Sequence, residues 1–150
     1  MKSKIAVLGF ISILLVVVFA SGCTSNEKVL YEYNLSAGQS PNYIGAQNVT
    51  VPNGTNNIKV EAQNLEKLNS SLNTSYVNIY ALSIVPATVT VTGNDMEIIK
   101  NYNASVLLQK KFDLSNETSK TFTYTFNDSN IKGFLIVNVN AKGLIKIVTS

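Results

Sequence analysis

Residues 121–126 read Thr-Phe-Thr-Tyr-Thr-Phe, an alternation that leaves fewer folds open than any other stretch of the chain. Side chains on an extended strand point to opposite faces with a period of two, so Phe122, Tyr124 and Phe126 share one face and three threonines the other. A helix would keep Phe122 and Phe126 together but turn Tyr124 to the opposite side. Aromatic and β-branched residues are also those that fit a pleated, half-buried surface, so pattern and propensity agree on a strand.

Similar short segments recur between turn residues. Val29, Tyr31, Tyr33 and Leu35 form one face of a first strand, with Glu32 and Asn34 opposite. Ser36 to Ala46 is rich in Gly, Ser, Pro and Asn and reads as a loop. Val49 and Val51 alternate before the turn Pro52-Asn53-Gly54-Thr55. Ile58, Val60 and Ala62 then face inward against Lys59, Glu61 and Gln63. In Asn64 to Asn73 the leucines 65, 68 and 72 have helical spacing, which predicts a short helical turn or an ordered loop. Tyr76 to Val85 is the longest apolar stretch after residue 22. It predicts a central strand, buried on both faces over its second half and ended by Pro86. Gly93-Asn94 suits a tight hairpin between Ala87–Thr92 and Asp95–Lys100. Ala104 to Leu114 is a further strand. Gly133–Val139 and Leu144–Thr149 enclose Asn140-Ala141-Lys142-Gly143, which reads as a type I turn completed by glycine in the left-handed region. Eight to ten short strands with almost no helix predict an all-β fold. Its form is a two-layer antiparallel β-sandwich, immunoglobulin-like or jelly-roll-like, over residues 29–150, preceded by an N-terminal signal helix.

The leader sets where this domain works. Lys2 and Lys4 precede an apolar run from Ile5 to Ala20, and Ala20-Ser21-Gly22 supply small side chains before Cys23. These four residues resemble the lipobox of prokaryotic lipoproteins, with Ala20 where leucine is usual. The resemblance covers the export signal alone. It implies cleavage after residue 22, a lipid on the Cys23 sulfur, and a short polar tether in residues 23–28. The open alternative is an uncleaved N-terminal anchor, for which the run is slightly short against the roughly 20 apolar residues a span needs. Either way the lysines stay on the cytoplasmic side, and the rest of the chain lies on the outer face of the cytoplasmic membrane, at the cell surface.

Composition narrows the chemistry. The chain contains no His, Arg or Trp, and Cys23 is its one cysteine. Without histidine there is no Ser-His-Asp or Cys-His nucleophile, and zinc or copper sites built from His and Cys cannot form. No disulfide framework exists, so the apolar core must hold the domain. Without Lys2 and Lys4, ten lysines face nine acidic residues, a near-neutral balance. There is no arginine for bidentate phosphate contacts. Nucleic acid is therefore not an expected partner, and no cofactor is implied.

Eight Asn-x-Ser/Thr sequons begin at Asn34, Asn48, Asn53, Asn69, Asn73, Asn103, Asn116 and Asn127, all but Asn48 in expected loops or strand ends. A lipobox together with many sequons resembles archaeal surface proteins, although an Asn-rich composition from an AT-rich genome yields the same triplets. The turn carboxylates Asp95, Glu97, Asp113, Glu117 and Asp128 have no spacing that demands a hydrolytic pair, which needs two carboxyls about 5 Å or about 6.5–9.5 Å apart. Asn127 to Asn130 is oxygen-rich, but it lacks the spacing of a dedicated calcium loop and is explained as a polar turn. Tyr43 and Tyr102 are the tyrosines expected in loops and thus the candidates for stacking on a sugar. The expectation is a membrane-anchored extracytoplasmic lipoprotein with a non-catalytic interaction or structural role in the cell envelope, its partner an envelope protein or a glycan. The alternatives are a carbohydrate- or ligand-binding module and, less in keeping with the residues, a carboxylate-dependent hydrolase.

Overall fold

The computed structural model describes residues 26–35, 43–89, 105–116 and 120–149. The expected leader, Cys23, Tyr102, Asn103, Asp95, Glu97, Glu117 and the expected Gly93-Asn94 hairpin lie outside them. The described residues contain eight strands and no α-helix. They are β1 (Lys28–Asn34), β2 (Ile44–Thr50), β3 (Ile58–Lys67), β4 (Tyr76–Leu82), β5 (Val106–Asp113), β6 (Lys120–Phe126), β7 (Gly133–Val139) and β8 (Ala141–Thr149).

The strands form two four-stranded antiparallel sheets, β1-β8-β3-β6 and β2-β7-β4-β5. β4 pairs with β5, β3 with β6, β2 with β7 and β1 with β8, as in one long hairpin whose arms are wrapped into two layers. That is jelly-roll topology. Every sequential connection except β4 to β5 crosses between layers, including the one from β7 to β8.

The main core lies between the sheets. Ile58, Val60 and Ala62 of β3 and Ile145 and Ile147 of β8 meet Val77, Ile79 and Ala81 of β4 and Phe134 and Ile136 of β7, all fully buried. Burying a large apolar side chain stabilises the fold by roughly 1.5–3 kcal/mol. Phe126 packs edge-on against Phe134, with centroids 5.1 Å apart. The Phe-Tyr-Phe face of β6 adds less to the core than its pattern predicts, because β6 is an edge strand. Only Phe126 is fully buried; Phe122 is half-buried and stacks on Phe112, and Tyr124 is 37% exposed beneath the Lys110 ammonium.

Three expectations need correction. Asn64 to Lys67 belongs to β3 and is not helical. Strict alternation after Ala62 would send Asn64 inward, but the ladder slips there as a bulge. Asn64 takes a φ of 51° and Leu65 is buried instead. β2 begins at Ile44, inside the expected loop, because β7 supplies a continuous ladder from Ile44 opposite Val139 to Thr50 opposite Gly133. The segment Asn140–Gly143 is no hairpin turn. The chain passes from one sheet to the other at Asn140 alone, at φ 48°, and Gly143 already lies within β8. There its φ is 138°, and a Cβ would sit 2.9 Å from the carbonyl oxygens of Gln63 and Asn64. Only glycine fits that conformation against the β3 bulge.

Candidate functional site

The strand registers array the outward side chains of each sheet as a grid. Outside β1-β8-β3-β6, Glu32 lies beside Lys146, then Glu61, then Thr123. Lys59 bonds Glu27 and Glu61, Lys146 bonds Glu32 at 3.2 Å, and Lys142 bonds Glu66 at 3.0 Å. This face is mostly polar, with Val29, Leu144 and Val148 among its outward residues, and four of the nine acids are engaged there with lysines.

Outside β2-β7-β4-β5 the rows run Ala46, Val137, Asn78, Lys111 and Asn48, Leu135, Tyr80, Gln109. Ile44, Tyr80, Leu82, Leu135 and Val137 form a second buried apolar cluster, with Val85, Val89 and Val106 packed against it. The residues after β4 therefore run across this face. Asn48 helps hold them, its Nδ2 donating to the Pro86 carbonyl at 2.9 Å. Gly133 is needed at the same place, since a Cβ there would collide with the Val49 carbonyl and the Val85 side chain. Toward β5 the face turns polar. Gln109 Nε2 donates to Asn78 Oδ1 at 3.3 Å and to the Tyr80 hydroxyl at 3.4 Å, and the Lys111 ammonium lies 4.2 Å from the Tyr76 ring centre.

The two ends of the sandwich differ as well. At one, an open cleft of about 460 Å³ is lined by Thr50 to Asn53, Ser83 to Val85, and Lys132, with Ile84 67% exposed. At the other, Asn140 is fully buried and uses every polar atom. Its N–H donates to the Tyr43 carbonyl, and its own carbonyl accepts from Leu68 N and Ser75 Oγ. Its Oδ1 accepts from Asn69 N at 2.7 Å, and its Nδ2 donates to the carbonyls of Asn69 and Thr74. Asn140 thus latches the β3–β4 turn and the start of β2 to the corner between sheets. Sequence reading missed it, though an Asn in the one-residue gap between two apolar strands is the kind of residue that tolerates positive φ.

The expected site residues do not converge. Tyr43 is half-buried at φ 53°, and its hydroxyl accepts from Asn69 Nδ2 at 3.3 Å, so the ring belongs to the latch. Asp113 and Asp128 each cap their own turn, Asp113 Oδ1 accepting from Ser115 N and Asp128 Oδ1 from Asn130 N, both at 2.9 Å. They sit at opposite ends of β6, about 23 Å of strand apart at a rise of about 3.3 Å per residue. The backbone hydrogen bond from Ser115, then its hydroxyl, with Lys111 and Lys67 further off, hold the Asp113 carboxyl below its ordinary range. Burial pushes the Tyr31 and Tyr33 phenols up, away from the ionised form a nucleophile would need. No group of three His, Cys, Asp or Glu side chains suited to a metal occurs among the described residues. Of the sequons, Asn34, Asn53, Asn73, Asn116 and Asn127 are exposed, while Asn48 and Asn69 have their side-chain nitrogens hydrogen-bonded. The sequence matches no protein-family model and no curated protein.

Proposed function

We propose that the chain is a lipid-anchored jelly roll on the outer face of the cytoplasmic membrane that acts through binding, with no catalytic step. What supports this most is the use made of its reactive side chains. The described turn carboxylates cap their own loops at opposite ends of the sandwich, and the described glutamates pair with lysines along one sheet. The carbohydrate-module reading is the weaker one, because Tyr43, the one of its two loop tyrosines among the described residues, is half-buried with its hydroxyl bonded to Asn69. The lipobox-like Ala20-Ser21-Gly22-Cys23 supplies the anchor. Two hydrocarbon chains on one sulfur hold a domain stably at a bilayer where one would not.

The test is the mass of the mature N-terminus from membranes of a host that processes such signals. The expected product starts at Cys23 with a thioether-linked lipid, and Cys23→Ser leaves the precursor unprocessed. An intact Met1 or an unmodified thiol on Cys23 would overturn the anchor. For the binding role, Asp113→Asn and Asp128→Asn are expected to leave the cell-surface phenotype of a deletion strain fully complemented; loss with either would revive a carboxylate mechanism.

A further inference from the structure

The position of the first strand says which end of the domain meets the membrane. Lys28 opens β1 opposite Thr149, and Thr149 is also opposite Ile58. The Thr149 hydroxyl donates to the Asn56 carbonyl, and Glu27 is ion-paired with Lys59. The chain therefore enters at the pole that carries the turns 51–57 and 127–132 and the residues following β4. That is the pole with the cleft. Cys23 precedes Lys28 by five residues. Such a tether reaches at most about 18 Å when fully extended. The far pole lies a whole strand further off, between roughly 23 Å and roughly 33 Å away at the usual rise per residue.

The same pole is chemically suited to a lipid surface. Ile84 and Val29, 67% and 53% exposed, are the most exposed large apolar side chains among the described residues, and both lie there. Among the described residues its carboxylates are engaged, Glu27 with Lys59 and Asp128 within its own turn. It also carries Lys28 and Lys132, the latter beside Ile84 in the cleft wall. An apolar tip flanked by lysines whose stems can lie along apolar surface is a pattern of interfacial contact.

We propose that this pole rests on the bilayer, with Ile84 at the headgroup boundary and the Asn140 latch at the end presented outward. The inference rests on the anchor reading and adds an orientation to it. In the lipidated full chain the Cys23 sulfur is blocked, so Ile84→Cys, Asn73→Cys and Glu32→Cys each offer one thiol to a fluorescent label. Position 73 marks the far pole, and position 32 marks the β1 edge and the charged sheet.

The labelled proteins are reconstituted in vesicles of equal parts phosphatidylcholine and phosphatidylglycerol that contain an acyl-chain nitroxide quencher. Severalfold stronger quenching at 84 than at 73 or 32 is expected. Equal quenching at 84 and 73, or the strongest at 32, overturns the orientation while flotation and the lipid mass on Cys23 still uphold the anchor. If the mass shows an uncleaved leader, the lipoprotein reading fails, and the orientation is read from the same pattern in a Cys23→Ser background. A protein that does not float with vesicles defeats both.

Discussion

The two outward faces of the sandwich have opposite chemistry, although both belong to four-stranded antiparallel sheets of the same chain. The outside of β1-β8-β3-β6 is dominated by Glu, Lys and Thr, with Val29, Leu144 and Val148 among them. Its strands therefore keep the in–out alternation of a sheet with one wet side. The outside of β2-β7-β4-β5 carries Ile44, Tyr80, Leu82, Leu135 and Val137, all buried, and Val85 and Val89 from the residues after β4 lie against them. β4 and β7 accordingly lose their alternation, being buried on nearly every residue. One jelly-roll sheet thus has a largely solvated outer side, and the other is covered over part of its outer side by the segment that follows β4. Burial on both faces is what turns an alternating strand into a continuous apolar one.

A charge placed on each face should give the largest effect and would collapse the distinction if it failed. Leu135→Lys is expected to cost about 4 kcal/mol or more and to abolish cooperative urea unfolding, since an unpaired ammonium would be buried. Thr123 holds an exposed place on the other sheet. Thr123→Lys is accordingly expected to shift stability by no more than about 0.5 kcal/mol. Equal effects would mean that the apolar face is not covered in solution. Next is the corner that joins the sheets. Asn140→Ala leaves the Asn69 N–H and the Asn69 and Thr74 carbonyls without their side-chain partner, and places alanine at a φ of 48°. A loss of about 3 kcal/mol is expected in denaturant melts.

Smaller effects refine the picture of the charged face. Lys146→Met removes one partly exposed ion pair with Glu32. Roughly 0.2–1 kcal/mol is expected at low salt, and raising the salt should erase most of it. The smallest effect belongs to Asp113, at the polar margin of the apolar sheet. Its carboxyl titrates lower in the folded chain than in the unfolded one. Its contribution is therefore full above the unfolded value and fades as pH falls through the folded one. Melts of Asp113→Asn and the parent should differ at neutral pH and converge as pH drops below about 4. A difference that persisted in acid would assign the effect to the turn itself and not to the charge.

Much of this arrangement was legible in the residues. Alternation located β1, β3 and β6, the apolar run Tyr76–Val85 located β4, and Asn53-Gly54 marked a turn whose Gly54 takes φ 77°. Where the reading failed, a local pattern was overridden by a distant partner. Leu65, Leu68 and Leu72 have helical spacing, but β8 and β6 hold residues 64–67 extended and a bulge returns Leu65 to the core. Gly143 looked like a hairpin residue, yet its freedom serves close packing against that bulge. The contacts of Tyr43 were also beyond local reading: its hydroxyl accepts from Asn69 and its backbone carbonyl from Asn140, both distant in sequence.

Residue type and period alone were enough for the all-strand class, for the absence of imidazole and guanidinium chemistry, and for the apolar run Ile5–Ala20 ahead of Cys23. Three other outcomes had to wait for the folded chain: which sheet is covered, that β7 and β8 part company at Asn140, and that the turn carboxylates Asp113 and Asp128 stand at opposite poles. Those depend on which strands pair across long stretches of chain. Pairing is chosen by the burial of whole faces at once, and no single segment carries that information.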